Sequence, residues 1–221
     1  MPRESKADLK KRTCEIFARL KKEHPDAKCA LHFSTPFELL VATILSAQCT
    51  DVKVNQVTAD LFRQASTPET FAKMRLETLQ ERIRPTGFFR NKAKSIQGMS
   101  RMLLQEYGGK VPEALPDLVK LPGVARKTAN VVREAAFGLP GIITDTHVIR
   151  LSERLGLTRE KDPVKIERDL MDLVPEAEWG RFSHTIVFHG RRVCEAKKPK
   201  CDACAVSDLC PSAFRFPHFR R

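Results

Sequence analysis

The chain has 221 residues, 42% of them hydrophobic and 30% charged, a balance that excludes a disordered chain and allows one large or two small folded domains. Lys and Arg outnumber Asp and Glu by 39 to 27, a formal charge of +12, which suits a polyanionic partner such as nucleic acid and equally an anionic membrane surface. The N-terminus, MPRESKADLKKRT, lacks the apolar segment of a secretory signal, and the longest apolar stretch, Leu39 to Leu45, is far too short to span a bilayer.

In chain order, nearly every segment reads as helix. Residues 6–22 place Leu9, Thr13, Ile16, Phe17 and Leu20 on one stripe. Thr35-Pro36-Phe37-Glu38 has the form of a capping box with Pro at N1, and the helix it opens is apolar on most sides and therefore central. The segment TDVKVNQVTADLF follows with Val54, Val57 and Leu61 at helical spacing, then residues 91–107, which stop at Gly108-Gly109. Leu115, Leu118 and Val119 end one helix, Leu121–Ala125 turns tightly, and Arg126 starts another. Asp145 precedes the amphipathic run VIRLSERLGL as its N-cap, and Asp162-Pro163 opens a helix carrying Ile166, Leu170 and Leu173. No period-2 run of useful length is present, so the expected fold class is all-α with short Pro- and Gly-marked loops.

Three segments carry chemistry. Cys194, Cys201, Cys204 and Cys210 lie within 17 residues, spaced C-x6-C-x2-C-x5-C. Such crowding without a signal peptide points to metal ligation in a reducing compartment rather than to disulfides. Four thiolates suit zinc or an iron–sulfur cluster. Only one C-x2-C knuckle is present, and Arg191, Arg192, Lys197, Lys198 and Lys200 would offset an anionic cluster, which ranks a 4Fe–4S cluster ahead of zinc. Cys14, Cys29 and Cys49 are expected to be buried free thiols.

The segment LPDLVKLPGVARKTANVV, residues 115–132, has the pattern of a helix-hairpin-helix. Its hairpin amides at Gly123, Val124 and Ala125 would meet a DNA phosphate at a helix N-terminus, a contact without sequence information. Lys127 sits in the first turn of the second helix. A lysine there is ordinarily a solvated surface residue, but the helix dipole disfavours its charge. That matters because an unperturbed lysine is only about 0.04% neutral at pH 7, and only the neutral amine attacks carbon. Asp145, in ITDTHV (143–148), can be both a cap and a catalytic carboxylate. His147 is most simply a first-turn residue.

Taken together, SAQCTD (46–51), TGFFRNKA (86–93), LPGVARKTANVV (121–132), TDTHV (144–148) and the cysteine spacing closely resemble the endonuclease III family of DNA glycosylases, over nearly the whole chain. The resemblance implies two helical domains flanking a DNA-binding cleft: residues 29–139 as a six-helix barrel with the hairpin, and residues 1–28 plus 140–221 around the cluster. It implies extrusion of a damaged pyrimidine, attack of Lys127 on C1′ of the deoxyribose, a Schiff base and strand cleavage by β-elimination, with Asp145 assisting lysine deprotonation and stabilising the sugar's positive charge. It also implies that Gln48 fills the gap left by the flipped nucleotide, that Phe88 wedges against the opposite strand and that Asp51 lies near the pocket; the basic loop from Arg191 to Lys200 would face DNA phosphate.

By residue type alone, Gln48 could end its helix as a surface residue, Phe88 could be core and Asp51 could be a cap. The expected partner is double-stranded DNA with damaged bases or abasic sites, bound by a monomer in the cytoplasm without membrane contact. One departure stands out: similar hairpins read LPGVG, whereas this chain has Ala125, which is strained if φ there is positive and favourable if the position is helical. The tail FRFPHFRR (214–221) could touch DNA but is expected to hang free.

Three rival functions differ in testable features. An adenine-specific glycosylase would generally carry another residue at Lys127 and would need an added domain, for which 11 residues past Cys210 leave no room. A non-catalytic iron–sulfur DNA binder would lack the lysine or the aspartate. A zinc-bearing binder would be colourless.

Overall fold

The computed structural model describes residues 4–219. Among the described residues the regular structure is entirely helical, with no strand. The helices are α1 (Lys6–Glu23), α2 (Pro36–Leu45), α3 (Asp51–Gln64), α4 (Pro68–Lys73), α5 (Leu76–Ile83) and α6 (Phe89–Glu106). They continue with α7 (Leu115–Leu118), α8 (Arg126–Phe137), α9 (Thr146–Arg154), α10 (Pro163–Leu173) and α11 (Trp179–Arg192). None of the described helices is long and apolar enough to cross a membrane. The chain divides into two compact units, Cys29–Leu139 and Met1–Lys28 with Pro140–Arg221.

In the Cys29–Leu139 unit, α2 is the central element. PFELLVATIL is apolar on most sides, as suits a helix that neighbours surround, and every residue from Phe37 to Leu45 is buried. Its start is set by Thr35, whose Oγ1 accepts the Glu38 N–H at 3.1 Å. The Glu38 carboxylate turns back one residue further than a capping box requires, accepting the Ser34 N–H at 2.6 Å. α2 packs on α3, α6 and α8, and α6 packs on α4 and α5. Ile96, Met99 and Leu103 form the fully buried stripe of α6. That helix ends as the glycine pair predicts: Gly109 N–H bonds the Leu103 carbonyl at 2.8 Å across Gly108, and both glycines have positive φ.

The second unit gathers α1, α9, α10 and α11 around Ile16, Leu20, Val148, Leu151, Ile166, Leu170, Phe182 and Ile186, all fully buried. Phe17 meets Phe182 edge to face at 5.5 Å. Asp162 caps α10 through Oδ1, accepting from Val164 and Lys165 N–H groups at 3.0 Å each. The cysteine segment contributes a single fully buried side chain, Val206, to this core. Three helices were not placed from sequence: α4, α5 and α11. The last has a clean signal in Phe182, Ile186 and His189 on its buried face, masked by glycines at both ends.

Candidate functional site

The hairpin is anchored from below and open above. Leu118, Leu121 and Val124 are buried, and the first helix is reduced to the four residues of α7. Gly123 has φ +80°, and a Cβ there would lie 2.7 Å from the Ser95 Cβ, so only glycine fits. Ala125 is neither strained nor helical: it is the N-cap of α8 with φ −81° and ψ 167° and has no capping side chain. The departure from LPGVG is therefore conformationally harmless. The Val124 N–H closes the turn onto the Leu121 carbonyl at 3.0 Å. Lys127 is exposed on the first turn of α8.

Gln48 and Phe88 share an uncommon feature. Both hold left-handed backbone, φ 53° and 48°, which costs a non-glycine residue roughly 1 kcal/mol or more. Gln48 is exposed in the turn beyond α2 rather than at the helix end. Phe88 is the N-cap of α6 and is 62% exposed, so the core reading of this residue is wrong. Asp51 is the first residue of α3, and the cap is Thr50, which accepts the Lys53 N–H.

Asp145 caps α9 with one oxygen: Oδ1 accepts the N–H groups of His147 and Val148, each at 2.8 Å. Both bonds land on Oδ1, so Oδ2 stands outside the cap. His147 is a packing residue. Its Nδ1 lies 3.1 Å from Arg150 Nη2, and burial lowers its pKa. The same Arg150 nitrogen donates to the carbonyls of Gly190 and Cys194 at 3.0 and 3.1 Å.

Cys194, Cys201, Cys204 and Cys210 line one cavity whose other walls include Leu151, Leu155, Val193 and Phe216. Burial, followed by the neighbouring thiols, pushes the Cys204 thiol up to about 11, and burial also raises Cys210. Four thiolates in such a place require a cationic centre. Arg154 Nη1 lies 3.3 Å from the Cys194 sulfur, and the guanidinium also donates to the carbonyls of Glu195 and Ala196. His189, held at about 4 by burial and by His24 beside it, has Nε2 3.5 Å from the Cys204 sulfur and Nδ1 3.2 Å from His24 Nε2. Among the described residues, no three His, Cys, Asp or Glu side chains are placed to hold a single metal ion.

The HhH-GPD superfamily of base excision DNA repair proteins matches residues 41–176. Endonuclease III of Synechocystis sp. is 54% identical over 94% of this chain and 95% of its own. That of Bacillus subtilis is 51% identical over 84% and 85%. The solved structure of a trapped endonuclease III–DNA covalent intermediate superposes with a TM-score of 0.90 at 44% identity, covering 93% of this chain and 97% of that one. The chain belongs to the endonuclease III family. It is a DNA glycosylase/AP lyase of base excision repair.

For this endonuclease III family member, three sequence expectations need correction. Cys14 is exposed on α1, and Cys29 and Cys49 are half-buried, so none of the three is a fully buried thiol. The tail does not hang free as far as Phe219. Phe216 lines the cysteine cavity under Arg154, 4.6 Å from its guanidinium, and His218 Nε2 meets the Pro199 carbonyl at 3.0 Å. Residues 220 and 221 lie outside the described residues. Of the basic residues near the cysteines, Arg192 pairs with Asp26 at 2.6 Å and Lys200 with Glu195 at 2.8 Å, so their charge is partly spent.

The residues missed from sequence are those that position others. Lys92 is 5% exposed, and its Nζ donates to the carbonyls of Leu45 and Thr86 at 2.7 and 2.8 Å. Burial lowers its pKa. Arg150, Arg154 and His189 surround the cysteine segment in the same supporting way. Their partners are 15 to 44 residues distant in sequence, so no local spacing could have marked them.

Proposed function

We propose that this chain removes oxidised pyrimidines from duplex DNA through a covalent intermediate on Lys127 and then nicks the strand. The observation that carries this reading is the similar endonuclease III, trapped as a covalent intermediate on DNA. The neutral Lys127 amine attacks C1′ of the deoxyribose and the C1′–N bond breaks, its electron pair leaving with the base. Loss of a second proton from the nitrogen and opening of the sugar ring give the Schiff base. Removal of a C2′ proton then expels the 3′ phosphate by β-elimination. Asp145 takes part through its Oδ2 side, assisting lysine deprotonation and stabilising positive charge on the sugar, while Oδ1 holds the cap.

Gly123, Ala125 and the first turn of α8 meet backbone phosphate, Gln48 occupies the gap in the duplex, Phe88 presses on the facing strand, and Arg191 adds to the phosphate surface. Val124 serves by filling the space beneath the hairpin. Cys194, Cys201, Cys204 and Cys210 would hold a 4Fe–4S cluster through their thiolates. The donor set fits: four sulfurs in an apolar cavity, with Arg154 beside one of them. When bound, the cluster supplies no bond-making step; it fastens a segment with little core of its own. The enzyme works as a monomer in the cytoplasm.

A panel of duplexes carrying thymine glycol, other oxidised pyrimidines, an abasic site or mismatched adenine tests the substrate class. Strand cleavage and a borohydride-stabilised adduct are expected with the oxidised pyrimidines and the abasic site. Base release without cleavage, or a preference for mismatched adenine, would count against the reading. Asp145→Asn tests the division of labour within one carboxylate. Asparagine caps a helix about as well as aspartate, so thermal stability should hold while base excision slows on the order of 10²-fold. A parallel loss of DNA binding and melting temperature would reduce Asp145 to a cap.

A further inference from the structure

We propose that Lys92 is a positioning residue that sets Gln48 and Phe88 as one rigid pair, an inference that rests on the DNA-inserting roles proposed for those two side chains. Each sits in a short turn after a helical segment ends. The Gln48 turn follows α2, whose last residue is Leu45. The Phe88 turn follows the 3-10 segment Arg84–Thr86 and passes through Gly87 at φ +69°. The Lys92 ammonium reaches the Leu45 carbonyl at 2.7 Å and the Thr86 carbonyl at 2.8 Å, the last carbonyl of each segment. A cation at a helix C-terminus satisfies carbonyls that the helix cannot bond and is favoured by the dipole.

The same residue also acts through its backbone. Lys92 N–H donates to the Phe88 carbonyl at 3.1 Å, beside the Asn91 N–H at 3.1 Å. Lys92 thus holds the Phe88 turn at two points and the Gln48 turn at one. The Gln48 turn is further closed by Cys49 N–H on the Ser46 carbonyl at 3.1 Å and by Ser46 Oγ on the Thr43 carbonyl at 2.8 Å. Left-handed backbone at a residue other than glycine persists only where its surroundings over-determine it. Lys92 is the one side chain whose hydrogen bonds, among those described, join the two turns.

A buried lysine is costly to keep where two apolar groups would pack, which argues that the bridge is retained for placement. A wedge that must enter a base stack needs its position fixed before contact, since an ångström of misplacement is enough to slow a reaction on the order of 10²-fold.

The test compares two substrates under single turnover: a duplex carrying thymine glycol or an abasic site, and a single-stranded abasic oligonucleotide, which has no facing strand to wedge. Lys92→Met should slow cleavage of the duplex by at least about tenfold while the single strand is cut at close to the parental rate. Lys92→Arg keeps charge and donors and guards against a folding failure. Its guanidinium is longer and planar where the ammonium is compact, so it cannot take the same place between the two carbonyls without shifting them, and it should show a smaller loss, again confined to the duplex. An equal loss on both substrates, or no loss on either, overturns the proposal. Gln48→Ala and Phe88→Ala run alongside. If they impair duplex cleavage and the Lys92 variants do not, only the Lys92 inference falls. If they leave duplex cleavage intact, their DNA-inserting roles fall and the inference falls with them.

Discussion

Lys127→Ala should abolish the borohydride-trapped adduct and lower base release on the order of 10⁴-fold, the scale on which loss of a covalent nucleophile is felt. The variant should fold normally. Lys127 is an exposed side chain on the first turn of α8, and alanine is the better helix former there by a few tenths of a kcal/mol. A change of melting temperature therefore cannot account for the lost chemistry. Lys127→Arg separates charge from nucleophilicity, because arginine keeps the cation but stays protonated and cannot attack carbon. It should bind abasic duplex nearly as tightly as the parent protein and form no adduct. An adduct undiminished in either variant would assign the nucleophile elsewhere.

Cys204→Ser should cost the cluster and, with it, the order of the segment from Cys194 to Ala213. Serine offers a hard, weakly acidic hydroxyl where iron needs a thiolate. The segment has little apolar anchoring of its own: Val206 is its one fully buried hydrophobic side chain and Leu209 is only partly buried, its other ties being polar, from Arg12, Arg19, Arg150 and Arg154. Short 3-10 turns at Cys201–Ala203 and Ser207–Leu209 replace longer helices. Loss of a structural metal centre removes its binding free energy from folding, so we expect the melting temperature to fall by about 10 °C. Purified variant should contain little iron and acid-labile sulfide, and DNA affinity should drop before the chemical step on bound DNA does. A stable, cluster-free and fully active Cys204→Ser protein would contradict the structural role.

How much of this was legible in sequence depends on how local each signal is. Thr35, Asp145 and Asp162 announce helix starts within three residues, and Gly108-Gly109 announces a stop. All four sit where their caps require. The all-α class follows from the 3.6-residue spacing between such marks. Resemblance selected the candidate residues, yet it could not say how their backbone lies. Phe88 could be core by residue type alone and is instead 62% exposed at a left-handed N-cap.

Ala125, strained or favourable according to a φ that the sequence does not give, is unstrained because the position is an extended N-cap. The tail reads as free by its place at the end of the chain and is held by Phe216 and His218. Lys92 was invisible for a deeper reason. A lysine on an amphipathic helix is ordinarily solvated, and its meaning here lies in two carbonyls, 47 and 6 residues away, that only the folded chain brings together.

The most direct measurement is peptide mapping, by mass spectrometry, of the borohydride-trapped protein–DNA adduct. Digestion should leave the deoxyribose remnant on the ε-amine of Lys127, within the peptide that spans the hairpin and the start of α8. A remnant on any other lysine or on the N-terminal amine, or efficient strand cleavage with no trapped species, would show that the chemistry does not run through Lys127.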